Sequence, residues 1–428
     1  MQTNLAPQYR ETPEGQEAEA ILRQCVHCGF CTATCPTYQL LGDELDGPRG
    51  RIYLIKQVLE GATPGPSTQL HLDRCLTCRN CETTCPSGVQ YGRLLDIGRH
   101  LVDRQVARPA AQRAARTLLR EVLPRALVFK PLMRAGQWLR PALPAALRAK
   151  VARPAPAGEW PRSGHARKML LLDGCVQPSM APNINAATAR VFDALGIELV
   201  IAPKAGCCGA IRYHLNDQAG GLDDMRRNID AWWPLVEAGA EAIVMTASGC
   251  GATVKEYGHL LRHDAAYAGK AGRISALTKD VSEILCGFQD ALVELINGRT
   301  GAGQEHKVAF HPPCTLQHGQ QIRGKVEGLL RAVGIDVRLC ADSHLCCGSA
   351  GTYSLLQPEL SGQLRERKLA ALHATGADEI VSANIGCQSH LQGGTAMPVG
   401  HWIELLDRLS SRSRGPSAAS PGTTIPGA

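Results

Sequence analysis

Aromatic residues are scarce in this chain of 428 residues, where Phe, Trp and Tyr together make up 4% of the sequence. The cores must therefore be built mainly from Leu, Val, Ile and Ala, within a hydrophobic fraction of 44%. No run reaches the roughly 18 apolar residues of a membrane span, and the N-terminal segment lacks the basic-then-apolar pattern of a signal peptide. These absences predict a cytoplasmic protein. The length of the chain predicts two or three domains.

Nucleotide-binding signatures are also missing. No G-x-G-x-x-G motif follows a predicted strand, and no Walker loop is present. The chain is therefore not expected to bind a flavin or a nucleotide of its own, and we predict no catalytic residues on it.

Cysteine, in contrast, is abundant, with 18 residues. Since the cytoplasm keeps thiols reduced, clustered cysteines there more often bind metal or take part in redox chemistry than form disulfides. Two runs share the spacing C-x2-C-x2-C-x3-C-P. They are Cys25, Cys28, Cys31 and Cys35, followed by Pro36, and Cys75, Cys78, Cys81 and Cys85, followed by Pro86.

This spacing is that of bacterial ferredoxins, in which the fourth cysteine of each run binds the other of two [4Fe–4S] clusters. The predicted ligand sets are Cys25, Cys28, Cys31 and Cys85 for cluster 1, and Cys75, Cys78, Cys81 and Cys35 for cluster 2. Zinc, the alternative, requires two separated pairs of ligands and not a triplet with a distant fourth. Helical periodicity in RGRIYLIKQVLEG and GQEAEAILRQC predicts a helical two-cluster domain.

Three arginines lie beside these cysteines in sequence: Arg23, Arg74 and Arg79. Either they offset the cluster charge and raise its reduction potential, or they are solvated surface residues. With all eight thiols bound to iron, neither cluster has an open coordination position. Such clusters are expected to move single electrons and not to bind a substrate.

A basic connector is predicted between residues 106 and 167. Residues 99–168 carry 16 Lys or Arg but only three acidic residues. The prolines expected to divide it into short helices are Pro124, Pro131, Pro141 and Pro144. Three interpretations are open: a linker packed by its leucines on a neighbouring domain, a docking site for a partner subunit, or a contact with the inner, anionic face of a membrane through Phe129 and Trp138.

Nucleic acid is not an expected partner, although the formal net charge is +7. Eight thiolates around two clusters of core charge about +2 each contribute about −4, which leaves about +3. The basic connector is the one feature of the sequence that favours nucleic-acid binding, and it is weak support.

The second half of the chain is an internal duplication. KMLLLDGC matches KVAFHPPC, GIELVIAPKAGCCG matches GIDVRLCADSHLCCG, and GAEAIVMTASGC matches GADEIVSANIGC. Each unit alternates apolar strands with helices, which predicts a parallel sheet with its ligand site at the carboxyl edge. The cysteines expected to gather there are Cys175, Cys207, Cys208 and Cys250 in the first unit, and Cys314, Cys346, Cys347 and Cys387 in the second.

These repeated cysteines are interpreted as metal or redox sites in preference to buried, inert thiols. Cys286 and Cys340 have no repeat partner and are taken as ordinary thiols. The second unit also carries His311, His344 and His390 near its cysteines. Because histidine can replace a cysteine on iron, we hypothesise that a metal held by only one unit is in the second, with His390 as a ligand.

The pattern C-x31-C-C-G, with a single cysteine about 40 residues later, resembles the cysteine-rich CCG domain of heterodisulfide reductases and of the iron–sulfur subunits of several flavin-dependent dehydrogenases. With the N-terminal runs, the chain resembles the glycolate oxidase iron–sulfur subunits from about residue 5 to residue 410. The resemblance is most specific in QCVHCGFCTATCPTYQLLGDELDGPRGRIYLIKQVLEG. Heterodisulfide reductases end each unit with C-x-x-C, whereas Thr253 and His390 stand at that position here.

The resemblance implies FAD-containing partner subunits that oxidise glycolate to glyoxylate, an electron relay on this chain, and a quinone-like acceptor. It also leaves room for a further iron–sulfur cluster or other metal in one or both CCG units. Equivalent subunits of lactate or glycerol-3-phosphate dehydrogenases share this architecture. A thiol–disulfide enzyme of the heterodisulfide reductase type is the alternative from another class, and the missing fifth cysteines count against it.

The expected fold is therefore a multidomain α+β chain. The predicted domains are a helical ferredoxin domain at 1–105, the connector at 106–167, a first CCG domain at 168–297, a second CCG domain at 298–410 and a disordered, Ser/Pro/Gly-rich tail at 411–428.

Overall fold

The computed structural model describes residues 1–144, 148, 151–297 and 306–411. An all-helical N-terminal domain is followed by two connector helices and by two α/β units, each built on one parallel sheet. The predicted α+β class, with a helical ferredoxin domain before two repeated α/β units, is confirmed. The predicted disordered tail lies, beyond Ser411, outside the described residues.

The N-terminal domain consists of short helices joined by the two cysteine loops. Its helices are Pro7–Arg10, Pro13–Gln24, Phe30–Ala33, Pro36–Leu41, Pro48–Leu59, Pro66–Asp73, Asn80–Thr84 and Tyr91–Gln105, with a 3-10 turn at Glu44–Asp46. Proline opens several of them, at a position where the missing N–H costs nothing. Thr12 caps helix Pro13–Gln24 by accepting a hydrogen bond from the Gly15 amide at 3.0 Å.

Aliphatic side chains form the core of this domain, as the composition predicts. Leu22, Ile55, Leu59, Leu94 and Leu95 are completely buried in one cluster. The helices Pro48–Leu59 and Tyr91–Gln105 approach closely at Gly98, where an added Cβ would lie 2.5 Å from Ile55 Cγ1. A residue without a side chain is therefore needed at this crossing.

The connector forms helices at Ala110–Val122 and Ala126–Leu139 and a 3-10 turn at Arg140–Ala142. Two expectations for it are wrong. Pro131 does not end a helix but lies inside Ala126–Leu139. Phe129 is buried, together with Met133 one turn later on the same helix face, so it is not available as a membrane anchor.

Only some leucines of the connector pack it on a neighbouring domain: Leu119 and Leu123 are half-buried, and Leu123 lines a cavity shared with the other domains, whereas others face outward. Leu127 is 94% exposed, and Leu118 and Leu132 are exposed as well. Trp138 is 82% exposed. Besides the buried Phe129 and Met133, polar contacts attach the connector: the Arg108 and Arg116 guanidiniums pair with Asp73, and Gln137 Nε2 donates to the Ser179 carbonyl at 3.3 Å.

The two α/β units follow the same plan. Strands β1 to β4 are Arg167–Leu171, Ile197–Val200, Ile243–Met245 and Thr278–Asp280, and β5 to β8 are Lys307–His311, Asp336–Leu339, Glu379–Ser382 and Val399–His401. The helical elements of the first unit are Gln177–Met180, Asn183–Ala194, Ala210–His214, Gln218–Glu237, Ser248–Lys255, Tyr257–Leu260, Ala268–Leu277, Val281–Leu285, Cys286–Phe288 (3-10) and Gln289–Asn297. Those of the second unit are Thr315–Gly319 (a π turn), Lys325–Ala332, Tyr353–Leu356, Pro358–His373, Ile385–Gln392 and Trp402–Ser411.

The strand orders are β2-β1-β3-β4 and β6-β5-β7-β8, and every pair is parallel. The register of β5 places His311 opposite Ser382 of β7. Because all strands of a unit run the same way, their carboxyl ends meet at one edge. The described helices include none with the length and hydropathy that crossing a membrane requires.

The two units share a hydrophobic core that continues from one sheet to the other. Phe192, Leu199, Phe310, Trp402 and Leu406 belong to a single buried cluster. Hydrogen bonds cross the same boundary: His401 Nε2 lies 2.9 Å from the Thr246 carbonyl oxygen, and Ser248 Oγ lies 2.7 Å from Thr315 Oγ1. The units therefore form one body, on which the N-terminal domain is docked.

Candidate metal centres

The first group of thiols surrounds the loop that joins helices Pro13–Gln24 and Phe30–Ala33. The pKa of Cys31 is raised to about 11, first by burial and then by repulsion from Cys25, Cys28 and Cys85. The structure thus brings Cys85 to the first triplet, as the ferredoxin spacing predicts. Cys28 is exposed at the surface of the domain.

The second group lies deeper. Burial raises the pKa of Cys81 well above its ordinary value, and Cys78, Cys75 and Cys35 add repulsion. Cys35 thus leaves its own run and joins the second triplet. The two loops share a backbone geometry, with left-handed residues at matching positions: His27 and Gly29 in the first, and Thr77 and Arg79 in the second.

Both groups fit the ligand requirement of a [4Fe–4S] cluster. Each offers four thiols and no competing carboxylate or histidine within its set, and clustered, desolvated thiols become thiolates only when a cation joins them. When bound, such a cluster exchanges one electron at a time without changing its ligands. The assignment of the eight cysteines to two clusters remains a prediction that this arrangement supports.

A buried arginine lies beside the second group. Arg51 is completely buried, and its Nε donates to the His71 carbonyl at 2.7 Å while its Nη2 lies 3.4 Å from Asp46 Oδ1. The Cys75 and Cys35 sulfurs are close enough to stabilise its charge. Thr37 Oγ1 completes the connection, 3.2 Å from Arg51 Nη1 and 3.3 Å from Cys35 Sγ.

The three arginines that the sequence singled out have other roles. Arg23 is 67% exposed at its side chain and pairs with Glu19. Arg74 Nη1 lies 2.8 Å from Asp46 Oδ2. Arg79 joins the N-terminal domain to the first α/β unit, because its Nη1 lies 2.5 Å from Glu256 Oε1. Sequence reasoning missed Arg51, although its place in the helix after the first run was visible.

Each α/β unit arranges its four repeated cysteines as a chain of contacts. In the first unit Cys207 neighbours Cys175 and Cys208, and Cys208 neighbours Cys250. The second unit repeats the order, since Cys346 contacts Cys314 and Cys347, and Cys347 contacts Cys387. The predicted gathering at the carboxyl edge is thus present in both. Cys286 and Cys340 lie outside these chains.

The two units differ in their relation to the N-terminal domain. Cys314 and Cys346 belong to one buried cluster, against which Cys78 of the second ferredoxin group is packed. These neighbouring thiols and burial raise the pKa of Cys314 well above its ordinary value. In the first unit, the thiol of Cys175, the counterpart of Cys314, is hydrogen-bonded to Cys207, within its own unit.

The three histidines of the second unit occupy different positions. His311 is completely buried next to Cys347 and Cys387. His390 Nε2 instead lies 3.3 Å from both the hydroxyl and the carbonyl oxygen of Ser361. The carbonyl of His344 accepts hydrogen bonds from His318 and from Asn80 of the N-terminal domain.

A cavity of about 1100 Å³ connects these groups. The N-terminal domain, the connector and both α/β units contribute to its wall, and thiols from the second ferredoxin group and both α/β units line it. Apolar side chains such as Phe129, Met133 and Met180 alternate there with charged ones such as Arg99 and Glu256. The cavity is large enough for an organic ligand.

Two family models match the chain. A 4Fe-4S dicluster domain matches residues 21–89, and a cysteine-rich domain matches residues 169–255 and 308–392. The glycolate oxidase iron–sulfur subunit of Escherichia coli (strain K12) is 56% identical over 410 residues, which cover 95% of this chain and 99% of that protein. The chain belongs to the glycolate oxidase iron–sulfur subunit family.

More distant relatives agree with this assignment. A probable glycolate oxidase iron–sulfur subunit of Bacillus subtilis (strain 168) is 30% identical and covers 88% of this chain and 89% of its own length. Lactate utilization protein A of Bacillus licheniformis is 28% identical over 228 residues, which are 53% of this chain and 91% of that protein. The resemblance to glycolate oxidase iron–sulfur subunits that the sequence indicated is therefore confirmed.

Proposed function

We propose that this chain is the electron-transfer subunit of a glycolate dehydrogenase. In this proposal an FAD-containing partner subunit oxidises glycolate to glyoxylate, which releases two electrons and two protons at its flavin. The chain accepts the electrons singly and delivers them to a quinone-like acceptor. It carries out no step on the hydroxy acid itself.

The observation that carries the proposal is the packing of Cys78, from the buried ferredoxin group, against the cluster that contains Cys314 and Cys346. It joins the buried ferredoxin group to the second α/β unit. The first ferredoxin group lies nearer the surface, where Cys28 is exposed. The thiols of the second ferredoxin group thus lie beside those of the second α/β unit in the wall of the large cavity, while the first group provides the exposed thiol at the surface.

The ligand sets are part of this proposal. Cys25, Cys28, Cys31 and Cys85 hold cluster 1, and Cys75, Cys78, Cys81 and Cys35 hold cluster 2. The repeated cysteines of the α/β units form a further redox or metal centre. The cavity that these centres share is the proposed site of the acceptor.

Purification of the tagged chain from its own cells, without oxygen, tests the function. The eluate is assayed for dye reduction with glycolate, D-lactate, L-lactate and glycerol 3-phosphate. We expect a flavoprotein to copurify and glycolate alone to reduce the dye. Reduction by another donor would keep the electron-transfer role and remove the glycolate assignment.

A lactate dehydrogenase subunit is the second candidate, and the similarity to lactate utilization protein A favours it. That similarity covers only about half of the chain, whereas the glycolate oxidase subunit of Escherichia coli matches almost all of it. A thiol–disulfide enzyme is less well supported, because Thr253 and His390 replace the fifth cysteines. Turnover of a disulfide by the flavin-free chain would favour it over both.

The connector supports a contact with the membrane in which a quinone dissolves. Leu127, Leu132 and Trp138 are exposed on helix Ala126–Leu139, which also carries Lys130 and Arg134. Exposed apolar side chains among cations suit an anionic lipid surface. We expect the chain to sediment with vesicles containing phosphatidylglycerol, and a Leu127→Glu, Trp138→Glu variant to remain in solution. A variant that loses the flavoprotein instead would assign the face to the partner subunit.

A further inference from the structure

Three side chains of the second α/β unit are packed more tightly than the ferredoxin thiols. One ligand atom each of His311, Cys347 and Cys387 lies within 4.8 Å of the other two. Among the described residues, the other group that meets this limit is Asp43, Asp46 and His71, where Asp46 is already paired with arginines. Neither ferredoxin group meets it.

His311 is the unusual member of the group. Its imidazole is completely buried, and neither ring nitrogen has a hydrogen-bond partner. Leaving a buried polar atom without a partner is unfavourable, so such groups are rare in folded proteins and need an explanation. A bound cation would supply the missing partner.

The fold brings these three residues together from three neighbouring strands. His311 is the last residue of β5, Cys347 lies in the segment after β6, and Cys387 lies in helix Ile385–Gln392 after β7. Since β5 is flanked by β6 and β7, their carboxyl ends surround one point of the sheet edge. All three residues line the large cavity.

We propose that His311, Cys347 and Cys387 bind a single divalent ion, Zn²⁺ or Fe²⁺, with the fourth coordination position open to the cavity. Zinc bonds of about 2.0–2.3 Å place tetrahedral ligand atoms roughly 3.5–4 Å apart, which the spacing of this group allows. Ligands of a cubane bind different irons and must stand further apart. Imidazole and thiolate together suit either ion, and three protein ligands with an open position are typical of a reactive site.

The neighbouring side chains are used elsewhere in the structure. Cys314 is buried in the cluster that contains Leu76 and against which Cys78 packs, both from the N-terminal domain. The His390 ring contacts Ser361. The ligand set proposed here thus contains a histidine other than the one that the sequence indicated.

The first unit lacks this set. Leu172 occupies the position 139 residues before His311, which is the offset of the matched cysteines. The site therefore belongs to the second unit alone. The inference rests on the proposed function in that it specifies the further metal centre assigned to the repeated cysteines. Its test is separate, because Co²⁺ binding requires neither the flavoprotein nor the electron acceptor.

The test uses the full chain with both ferredoxin clusters, purified without oxygen. The loosely held ion is removed with a chelator, and Co²⁺ is titrated as the probe. We expect one Co²⁺ per chain with the absorption of a tetrahedral thiolate site. His311→Ala should weaken Co²⁺ binding beyond the roughly 10–100-fold that loss of an outer-shell partner costs. The matched Leu172→Ala variant should bind as the wild type does.

Further variants keep the test decisive if His311→Ala does not fold. Cys387→Ser should abolish the cobalt spectrum, while Cys250→Ser, its counterpart in the first unit, should preserve it. His311→Cys should bind Co²⁺ with a shifted charge-transfer band. Metal analysis of the untreated chain shows whether the ion is zinc or an iron in addition to the eight of the two [4Fe–4S] clusters.

Two results would overturn the proposal. The first is unchanged Co²⁺ affinity in His311→Ala. The second is Mössbauer or electron paramagnetic resonance spectra of a multinuclear cluster that disappear in Cys347→Ser.

Discussion

Arg51 illustrates how one side chain distinguishes two centres that have the same ligands. Its buried guanidinium lies beside Cys35 and Cys75 of the second ferredoxin group, whereas Arg49, near Cys31 of the first, is 38% exposed and paired with Glu44. A buried cation stabilises the added electron of a reduced cluster more than a solvated one does.

Replacing Arg51 with Gln should lower the midpoint potential of one [4Fe–4S] cluster by on the order of 60 mV, a tenfold change for a one-electron couple. The other cluster should be unaffected. Electron paramagnetic resonance during a redox titration measures both. Asp46 keeps Arg74 and His71 as partners in the variant, so the fold should persist.

Two variants serve as controls for this effect. Arg51→Lys should retain most of the potential because it keeps the charge. Arg23→Gln removes an exposed arginine and should leave both potentials in place. Equal shifts in Arg51→Gln and Arg23→Gln would contradict the role of burial.

At this scale the sequence predicted what is local. The cysteine sets follow from spacing, because ferredoxin loops of fixed length wrap a cluster. The role of Arg51 could not be predicted in this way, since its partners Thr37, Asp46 and His71 come from different segments. Proximity in sequence selected Arg23 instead, which the fold places at the surface.

The repeated elements offer matched positions for comparison. Cys314 and Cys175 follow the first strands of their units, and Cys314 lies in the cluster against which the ferredoxin thiol of Cys78 packs, whereas Cys175 neighbours Cys207 of its own unit. Hydrogen bonds to ligand sulfur raise the potential of an iron–sulfur cluster by stabilising its reduced form.

Cys314→Ala should therefore lower the potential of the cluster bound by Cys78, and Cys175→Ala should not. The measurement is the same redox titration, followed by comparison of the two cluster signals. Identical potentials in both variants would show that the sulfur contact is not made in the loaded protein.

The crossing of helices Pro48–Leu59 and Tyr91–Gln105 permits a second prediction for an element. Gly98→Ala should destabilise the N-terminal domain by about 1–3 kcal/mol, because the new methyl group overlaps Ile55 in a filled core. Thermal unfolding monitored by loss of cluster absorption measures it. Gly328→Ala, inside helix Lys325–Ala332, meets no atom within 4 Å and should not lower the midpoint.

The spacing of apolar residues predicted the helices and strands well where an element buries one face and exposes the other. The strands before each cysteine and the helices Pro13–Gln24, Pro48–Leu59 and Asn183–Ala194 are present as expected. The prediction that Pro131 ends a helix is wrong. Pro131 has no N–H to donate to the carbonyl of Leu127, but Leu127 lies in the exposed first turn of the helix. Water can satisfy that carbonyl, so the helix continues.

At the scale of the whole molecule, two kinds of interface hold the N-terminal domain. Ion pairs join it to the first unit, including Arg79 with Glu256 and Glu17 with Arg262. An apolar cluster with Leu76, Cys346 and Tyr353 joins it to the second. No local pattern reveals such contacts, because their members are far apart in sequence. The shared cavity was therefore not predictable.

His401 makes the stability of the contact between the two α/β units depend on pH. Burial lowers its pKa to about 4, and its neutral ring donates from Nε2 to the Thr246 carbonyl while Nδ1 accepts from the Ile403 amide. Because the folded pKa lies below the unfolded value of about 6.5, the neutral ring favours folding fully above pH 6.5. This contribution is lost as the pH falls from 6.5 towards 4.

Lowering the pH from 7 to 5 should thus cost about 2 kcal/mol of unfolding free energy through His401. His401→Gln keeps a donor for Thr246 without a group that titrates in this range. Urea unfolding of both proteins at the two pH values isolates the difference. An equal loss in the variant would assign the acid sensitivity to other groups.

The exchange of Cys35 and Cys85 between the two thiol groups has a consequence for biosynthesis. During synthesis, 54 further residues must be added after Cys31 before Cys85, the fourth cysteine of this group, is present. The other quartet is complete at Cys81, only four residues earlier. Both predicted sets of four cysteines are thus completed almost together. A nascent chain that ends before Cys81 contains only incomplete sets.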